Sequence, residues 1–313
     1  MLVKTKMTKE SKGLLEWRKD FKRNWSLYLM FLPVLLFYIL FCYKPMYGAL
    51  IAFKNYTPKL GFMGSPWAGF ENFRMFFDSP DFIRVFFNTI KISCASLLFS
   101  FPLPIILALL INEIRNKRFK KFVQTASYLP HFISLVVICG MIKTFVASDG
   151  FVGYFVNQLG GTSGSLLQQE DKFLPIYIIS GIWQTIGWDS IIYLAALSGV
   201  DVEQYEAAEI DGAGRFRKMF SITLPSISNT IIILFILAVG KIMNVGYEKI
   251  ILLYNPTIYN VSDVISSYTY RMGFETQNWG YSSAVGLFNS VINLVLLLMT
   301  NRISNKYAGM GLW

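Results

Sequence analysis

Charged residues are scarce in this 313-residue chain, because Asp, Glu, Lys and Arg make up only 15% of it. Soluble proteins usually carry about a quarter charged residues. Hydrophobic residues make up 54% of the chain. A soluble domain of this length would need more polar surface than the sequence supplies. The excess apolar residues are therefore expected to face lipid, which argues against a soluble globular protein.

Patterns typical of metal sites and enzyme active sites are also lacking. The chain has one histidine, His131, and three cysteines, Cys42, Cys94 and Cys139, and none of them lies at metal-ligand spacing. We interpret the cysteines as small buried hydrophobic residues. No GxxxxGK[ST] phosphate-binding loop occurs, so the chain cannot bind ATP by that route. We therefore expect neither catalytic activity nor a bound metal or cofactor.

Six apolar segments are long enough to cross a membrane, for which a helix needs about 20 residues. They are residues 27–52, 84–112, 123–147, 173–198, 227–247 and 281–300. Pro102 and Pro104 predict a kink in the second segment. The expected fold class is therefore an all-α polytopic membrane protein with six transmembrane helices.

The distribution of basic residues predicts how these helices are oriented. If the N-terminus is cytoplasmic, Lys and Arg are roughly three times as frequent in the inner segments as in the outer ones, as the positive-inside rule requires. The inner clusters include Lys117–Lys121 and Arg215–Lys218. Both termini are therefore predicted to be cytoplasmic. The net charge of +10 does not indicate nucleic-acid binding, since the basic residues lie beside apolar spans.

These features divide the chain into four parts. They are a basic cytoplasmic segment (1–25), the first transmembrane helix with an extracytoplasmic loop (26–83), a core transmembrane domain (84–300) and a cytoplasmic tail (301–313). The first part is either an amphipathic helix on the inner membrane surface or a disordered tail. Proline and glycine in residues 54–83 predict an ordered cap outside the membrane.

The inner loop, residues 199–226, is the most informative segment. Its predicted elements are an N-cap at Asp201, a helix over Val202–Ile210, a break at Gly212 and Gly214, a second helix over Arg215–Ser221, and Pro225 in the first turn of the next span. Glu206 and Glu209 are expected to face the cytosol, and Ala207 and Ala208 leave room for another protein to approach closely. From the residues alone, a mechanical coupling element and an ordinary solvated loop are equally open.

The spacing in this loop resembles the EAA signature of the permease subunits of ABC importers. Glu206-Ala207-Ala208, three residues, Gly212, nine residues, Ile222, one residue and Leu224-Pro225 match that signature. The resemblance covers roughly residues 84–300 and implies the type I importer permease fold. It also implies which residues couple the chain to an ATPase, namely Glu206, Ala207, Ala208, Asp211, Gly212, Ala213, Leu224 and Pro225.

Four other segments resemble the carbohydrate-uptake group of these permeases, and most of all the polysaccharide and lipoprotein-associated permeases of the LplB type. They are Tyr43–Gly48, Ala52–Tyr56, Ser65–Phe73 and Tyr128–Ser134. Members of this group import oligosaccharides, some carrying uronic acids. A permease for peptides, amino acids or inorganic ions remains the alternative, because the EAA signature does not exclude it. We interpret His131, in the last segment, as a structural residue after a helix-bending proline.

The resemblance also implies partners and a location. The chain would pair with a second homologous permease subunit in a bacterial plasma membrane. Two ABC ATPase subunits would bind ATP and Mg, and an extracytoplasmic solute-binding protein would deliver the oligosaccharide. Closure of the ATPase dimer would move the inner loop and switch the spans between inward-facing and outward-facing states.

Polar residues deep within the spans suggest the substrate path, since they are costly in lipid and usually functional. The two spans that flank the inner loop line the sugar site in related permeases. Their candidate residues here are Gln184, Thr185, Trp188, Asp189, Lys241 and Asn244, which offer an aromatic face, amides and charges to a sugar. Lys241 has two interpretations: it neutralises the carboxylate of an acidic sugar, or it pairs with Asp189 or a partner subunit.

Overall fold

The computed structural model describes residues 9–159 and 164–313, and most of them are helical. The part of the chain that it describes has no β-strand beyond a single antiparallel bridge between Lys54 and Trp67. The prediction of an all-α protein is therefore confirmed. The chain forms two compact units, of which the first ends at Ile51 and the second comprises Ala52–Trp313.

The first unit is built around helix α1 (Lys9–Phe37). Further helical turns follow it, namely a π turn (Tyr38–Tyr43), a short α turn (Lys44–Met46) and a 3₁₀ turn (Tyr47–Phe53), whose last two residues belong to the second unit. At Asn24 the backbone leaves the helical region, with φ −116° and ψ 22°. Asn24 Nδ2 and Tyr28 Oη each donate to the Asp20 carboxylate at 2.7 Å. From Lys9 onward the basic segment is thus a helix rather than a disordered tail, and residues 1–8 lie outside the described residues.

The second unit contains the remaining helices. In chain order they are α2 (Glu71–Phe77), α3 (Asp81–Ser100), α4 (Pro102–Asn112), α5 (Lys117–Tyr128), α6 (Leu135–Phe145), α7 (Phe151–Gln158), α8 (Glu170–Ser198), α9 (Val202–Ile210), α10 (Arg215–Lys218), α11 (Ser228–Val239), α12 (Tyr247–Leu253), α13 (Ile265–Tyr270) and α14 (Trp279–Ala308). Shorter α, 3₁₀ and π turns lie at Gly61–Gly64, Leu129–Phe132, Leu166–Gln168, Met219–Thr223, Leu224–Ser226, Pro256–Ile258, Tyr259–Ser262 and Arg271–Glu275.

Three helical segments are long and apolar enough to cross a membrane: Lys19–Phe53, Asp81–Asn112 and Trp279–Ala308. Two further spans result if each of two bent pairs counts as one, which gives up to five among the described residues. The predicted count of six is not confirmed by this criterion. The predicted span 173–198 corresponds to α8, which has 29 residues but is not one of these segments.

Two of the predicted spans are not continuous helices, and in this respect the prediction is wrong. The third is bent by 97° between α5 with its following turn and α6. Ile133 and Ser134 are extended there, and Ser134 Oγ caps α6 by accepting the Val137 N–H at 3.4 Å. In the fifth predicted span the helix ends at Val239. Beyond it the Met243 N–H donates to the side chain of Asn293 in α14 rather than to a backbone carbonyl of its own helix.

The kink expected at Pro102 does not divide the second span. The helix is interrupted only at Phe101, whose φ of −72° and ψ of −44° remain helical. The residues from α3 through α4 consequently still form one candidate span. Proline is tolerated here because it lies in the first turn of α4, where its missing N–H has no intrahelical partner to lose.

The loop predicted to form an ordered cap is ordered. Asn55 N–H donates to Pro66 O at 3.0 Å, and Asn72 Nδ2 donates to Ala52 O at 2.9 Å. Phe76 of α2 is fully buried and packs edge-to-face on Tyr281 of α14. The cap is therefore part of the packed second unit rather than a loose connection.

A buried carboxylate joins the start of α3 to the segment around α13. Asp263 is fully buried and accepts hydrogen bonds from Arg84 at 3.2 Å, Arg271 at 2.6 Å and Ser267 Oγ at 2.8 Å. Burial lowers the pKa of the Arg271 guanidinium, but the Asp263 carboxylate raises it more, so the net direction is upward. Two arginines thus satisfy the negative charge that burial would otherwise penalise.

The three cysteines form no disulfide. Cys139 is buried in the apolar core, as expected, whereas Cys42 and Cys94 are exposed on the isolated chain. The expectation of burial is therefore wrong for these two residues, whose helices leave them on outward faces.

Candidate functional site

The first half of the inner loop has the structure predicted for it. Asp201 Oδ1 accepts the Glu203 N–H at 3.0 Å and so caps α9. At the other end the Ala213 N–H donates to Ala208 O at 2.8 Å, which closes the helix with a reversed turn. Gly212 makes this turn possible because its φ is +73°, a conformation that residues with a Cβ resist.

The second half of the loop is longer than predicted. Helix α10 continues through a π turn, Met219–Thr223, and a final turn, Leu224–Ser226, so the helix does not stop at Ser221. A bend of 61° then separates it from α11. Pro225 lies before this bend and not in the first turn of the span, because the helix is broken at Ile227, where φ is −100° and ψ is 4°.

Side-chain contacts hold the two halves together as one body. Tyr205 Oη and the buried Thr223 Oγ1 are 2.9 Å apart and share a hydrogen bond. Lys218 Nζ donates to Glu209 Oε2 at 3.2 Å. The loop can therefore transmit a displacement rather than deform locally.

The outward surface of the loop combines a free carboxylate with exposed apolar groups. Glu206 is exposed and makes no ion pair within the described part of the chain. Ile210, Phe216 and Phe220 are 87%, 77% and 62% exposed. Among the other predicted coupling residues, Ala207, Asp211, Gly212 and Pro225 are exposed, while Ala208, Ala213 and Leu224 are half-buried. Apolar side chains clustered on an exposed loop are typical of a protein interface.

The inward surface of the loop packs against the span helices. Met219 and Leu224 contact a buried cluster, here called the inner cluster, formed by Ala108, Leu109, Tyr193, Leu197 and Ile227. Tyr193 also lines the cavity described next. A continuous set of packed side chains therefore connects the loop with that cavity.

A cavity of about 410 Å³ lies between α3, α4, α8 and the non-helical segment 240–246. Three of the predicted substrate-path residues line it, namely Asp189, Lys241 and Asn244. Gln184, Thr185 and Trp188 do not line it. Apolar side chains complete much of the wall, which gives the mixture of apolar surface and few polar groups that is typical of ligand sites.

The two charged residues in the cavity are not bonded to each other. In the part of the chain that the structure describes, Lys241 makes no ion pair, so the pairing with Asp189 considered from the sequence is not formed. Asn244 is held firmly, since its Oδ1 accepts from Asn289 Nδ2 at 2.8 Å and from Asn293 Nδ2 at 3.0 Å. The ammonium group of Lys241 and the amide hydrogens of Asn244 remain available to a ligand.

Trp188 is engaged in packing. The His131 ring stacks on it with centroids 4.3 Å apart and an interplanar angle of 2°, and Phe132 packs edge-on against the same indole. One face of Trp188 is thus unavailable to a sugar ring. His131 braces the bend between α5 and α6 against α8, which agrees with its interpretation as a structural residue.

The sequence did not point to two further groups near the cavity. Ser93, Ser96 and Ser100 of α3 line it, and their helical spacing within an apolar span was a readable signal. Lys249 of α12 lies outside the six predicted spans, but it is only 8% exposed. Its Nζ donates to Tyr177 O at 2.8 Å and lies 4.7 Å from the Tyr177 ring.

Comparison with known proteins gives consistent results. Residues 100–309 match the family described as "Binding-protein-dependent transport system inner membrane component". The chain is 44% identical to Protein LplB of Bacillus subtilis (strain 168), over 96% of this chain and 95% of that protein. It is 41% identical to the polygalacturonan/rhamnogalacturonan transport system permease protein YteP of the same organism, over 92% and 90%.

A solved structure has the same fold. It is a bacterial alginate ABC transporter in complex with an alginate pentasaccharide-bound periplasmic protein, and one of its chains superposes with a TM-score of 0.85. That chain is 44% identical in sequence, and the match covers 94% of this chain and 99% of that one.

Proposed function

This chain belongs to the family of binding-protein-dependent transport system inner membrane components, and we propose that it forms the path by which an ATP-driven importer passes acidic oligosaccharides across a bacterial plasma membrane. It is a transport subunit and not an enzyme, and ATP hydrolysis belongs to separate ATPase subunits. Relatives named for polygalacturonan and for the acidic polysaccharide alginate support a carbohydrate solute over a peptide or amino acid.

The inner loop is the element through which the ATPase acts. Glu206 presents an unpaired carboxylate to a basic residue of the ATPase, and the neighbouring Ala207 allows close approach. Ile210 and Phe216 supply apolar contact area, because they are 87% and 77% exposed. Asp211, Gly212 and Ala213 set the turn, and Leu224 and Pro225 lead to the span. The exposed loop thus has the charge and apolar surface that a docking element needs.

One observation carries the proposal, namely the packed connection from this loop to the cavity. Leu224 contacts the inner cluster, and Tyr193 belongs both to that cluster and to the cavity wall. Since close-packed side chains transmit displacement, a movement of the loop repositions the wall of the cavity. The bend before α11 and the break after it provide places at which the helices can reorient. ATPase closure can therefore change access to the solute site.

The cavity suits an acidic sugar. Its volume of about 410 Å³ falls within the usual range of ligand pockets, ~300–1,000 Å³. Lys241 supplies an unpaired cation for a carboxylate, Asn244 supplies amide donors, and Asp189 supplies an acceptor for sugar hydroxyls. Gln184, Thr185 and Trp188 lie on the same helix as Asp189 and remain candidates for other positions along the path.

The family to which the chain belongs supports the remaining parts of the proposed assembly. The chain works with a solute-binding protein, as the alginate transporter does with its periplasmic protein. We place beside it a second homologous permease subunit and two ATPase subunits that bind ATP and Mg. Three candidate spans, two bent pairs and α8 support six crossings. The basic stretches Lys117–Lys121 and Arg215–Lys218 support cytoplasmic termini.

Uptake by the complete transporter in lipid vesicles tests the solute class. The assay supplies binding protein outside and ATP inside, and compares acidic with neutral oligosaccharides of equal length. We expect uptake of the acidic ones only, and a fall of at least tenfold with Lys241→Met. Lys91→Met is the matched control, because Lys91 lies in α3 but does not line the cavity. Equal uptake of neutral oligosaccharides, or full activity of Lys241→Met, would contradict the proposed solute.

Co-purification with the ATPase subunits tests the role of the loop. We expect Glu206→Ala to lose the ATPase and to stop uptake while the protein still inserts in the membrane. Glu203→Ala is the control, since Glu203 is an exposed glutamate one turn earlier on the same helix. Retention of the ATPase by Glu206→Ala, or its equal loss with Glu203→Ala, would rule out the specific role of Glu206.

A further inference from the structure

One wall of the cavity is formed by serines of α3, a helix on which the sequence predicted no site residue. Ser93, Ser96 and Ser100 all line the cavity. Their spacing of three and four residues places them on one face of the helix. Lys241 and Asn244 line the same cavity from the segment after α11.

The hydroxyls of these serines do not make the hydrogen bond that serine hydroxyls in apolar helices usually make. Such a hydroxyl normally donates to a backbone carbonyl one turn earlier. Ser180 Oγ does so to Ile176 O at 2.5 Å, and Ser290 Oγ to Gly286 O at 2.9 Å. Ser93, by contrast, is 6% exposed, and its Oγ is buried without a partner among the described residues.

An unpartnered buried hydroxyl destabilises the fold unless something else bonds to it. Ser96 and Ser100 likewise have no hydrogen bond within residues 9–159 and 164–313. Three serines on one face thus line a cavity, and their hydroxyls have no partner among the described residues. This arrangement points to a ligand that carries several donor and acceptor groups close together.

A sugar ring has that chemistry, because each of its hydroxyls both donates and accepts, as a serine hydroxyl does. The rest of the cavity complements it. Asn244 keeps its amide hydrogens free, since only its Oδ1 is bonded by Asn289 and Asn293. Lys241 offers a cation to a carboxylate.

We infer that the serine face of α3, formed by Ser93, Ser96 and Ser100, binds the ring hydroxyls of the solute during translocation. The second span then joins the two spans that flank the inner loop in forming the solute site. Lys241 holds the carboxylate of an acidic sugar while the serine face holds its hydroxyls. This inference rests on the proposed function, because it takes the solute to be a carbohydrate.

The test uses the complete transporter in vesicles with galacturonate and alginate oligosaccharides as probes. The variant Ser93→Ala/Ser96→Ala/Ser100→Ala removes the three free hydroxyls. It is expected to fold, because alanine favours helix more than serine does. Ser180→Ala/Ser290→Ala is the matched control, since it removes hydroxyls that are already bonded to the backbone. Ser93→Ala alone provides a milder variant.

We expect the triple variant to lower the maximal uptake rate at least tenfold, and Ser93→Ala to lower it about threefold. The solute concentration for half-maximal uptake is expected to stay unchanged, because the binding protein captures the solute. ATPase activity without solute is expected to remain within twofold of the original protein, as is uptake by the control variant.

Three outcomes would overturn the inference: uptake by the triple variant within twofold of the original, an equal loss in the control variant, or loss of assembly with the ATPase subunits. The last would show that the serines only pack the helix. Failure of the unmodified transporter to import either probe is a separate result, and it would refute the proposed function itself.

Discussion

Replacing Gly212 by alanine isolates the contribution of one turn to coupling. Gly212 has a φ of +73°, and a Cβ built on it would meet no atom within 4 Å. The substitution therefore introduces no steric clash with the rest of the chain. Its cost is the local strain of a side chain in the left-handed region, about 1–2 kcal/mol.

This strain affects docking more than folding. In the free protein the exposed loop of the variant can relax to a different turn, because nothing packs on Gly212. When docked, the loop must recover its original shape, and the strain opposes binding. Since about 1.4 kcal/mol corresponds to a factor of ten in affinity, we expect the ATPase to bind roughly five to thirty times more weakly.

The measurement is a titration of the detergent-solubilised permease subunits with the ATPase subunit. Gly214→Ala is the matched control, because Gly214 lies two residues away, has equally open surroundings and has a φ of −69° that alanine accepts. Gly212→Asn is a second control, since asparagine tolerates the left-handed region better than alanine. Affinity of Gly212→Ala equal to that of Gly214→Ala would refute the argument that this turn must be preserved for docking.

Three further predictions concern stability and are tested by thermal unfolding of the purified complex. Gly187→Ala is expected to lower the stability of the protein by about 1–3 kcal/mol or more, because the new Cβ would lie 2.1 Å from a backbone oxygen of α5. Gly140→Ala is the control and should leave stability unchanged, because Gly140 faces open space; equal unfolding midpoints for the two variants would contradict this prediction. Asp263→Asn should cost about 3–5 kcal/mol, since it removes the fully buried carboxylate that Arg271 and Arg84 share. Asp78→Asn at an exposed pair should cost about 0–1 kcal/mol; similar losses of stability in the two variants would be inconsistent with the buried network. Lys249→Met should raise stability by about 1 kcal/mol or more, because it removes a buried charge that has no acidic partner among the described residues. A lower unfolding midpoint would show that the ammonium group stabilises the fold.

The inner loop shows how far local sequence signals reach. The helix Val202–Ile210, its cap at Asp201 and the turn at Gly212 were all predicted correctly. Each depends on a residue whose own chemistry decides the backbone: a short carboxylate that caps, or a glycine that accepts a positive φ. The end of the second helix was not predicted correctly. Proline is compatible with the first turn of a helix, and Pro225 was therefore assigned to the start of the next span, whereas it lies in the turn before the break at Ile227.

The candidate site was only partly predictable, because the sequence shows which residues are polar but not which of them meet in the folded chain. Asp189, Lys241 and Asn244 are polar residues in apolar spans, so their positions were conspicuous in the sequence. Whether they meet depends on the path of the non-helical segment after α11, in which the Met243 N–H donates to Asn293 Oδ1 at 3.0 Å. Trp188 is as conspicuous as the others, but packing against His131 occupies one of its faces.

Composition and residue spacing were enough to predict a helical membrane protein whose inner loop has the spacing of the EAA signature. Those properties follow from composition, from periodicity and from residues that act on their own backbone. Which helices break, which polar groups share a cavity and which serine hydroxyls lack a partner could be seen only in the folded chain. These depend on contacts between residues far apart in the chain, such as the pairing of Asn244 with Asn289 and Asn293, and no local pattern specifies them.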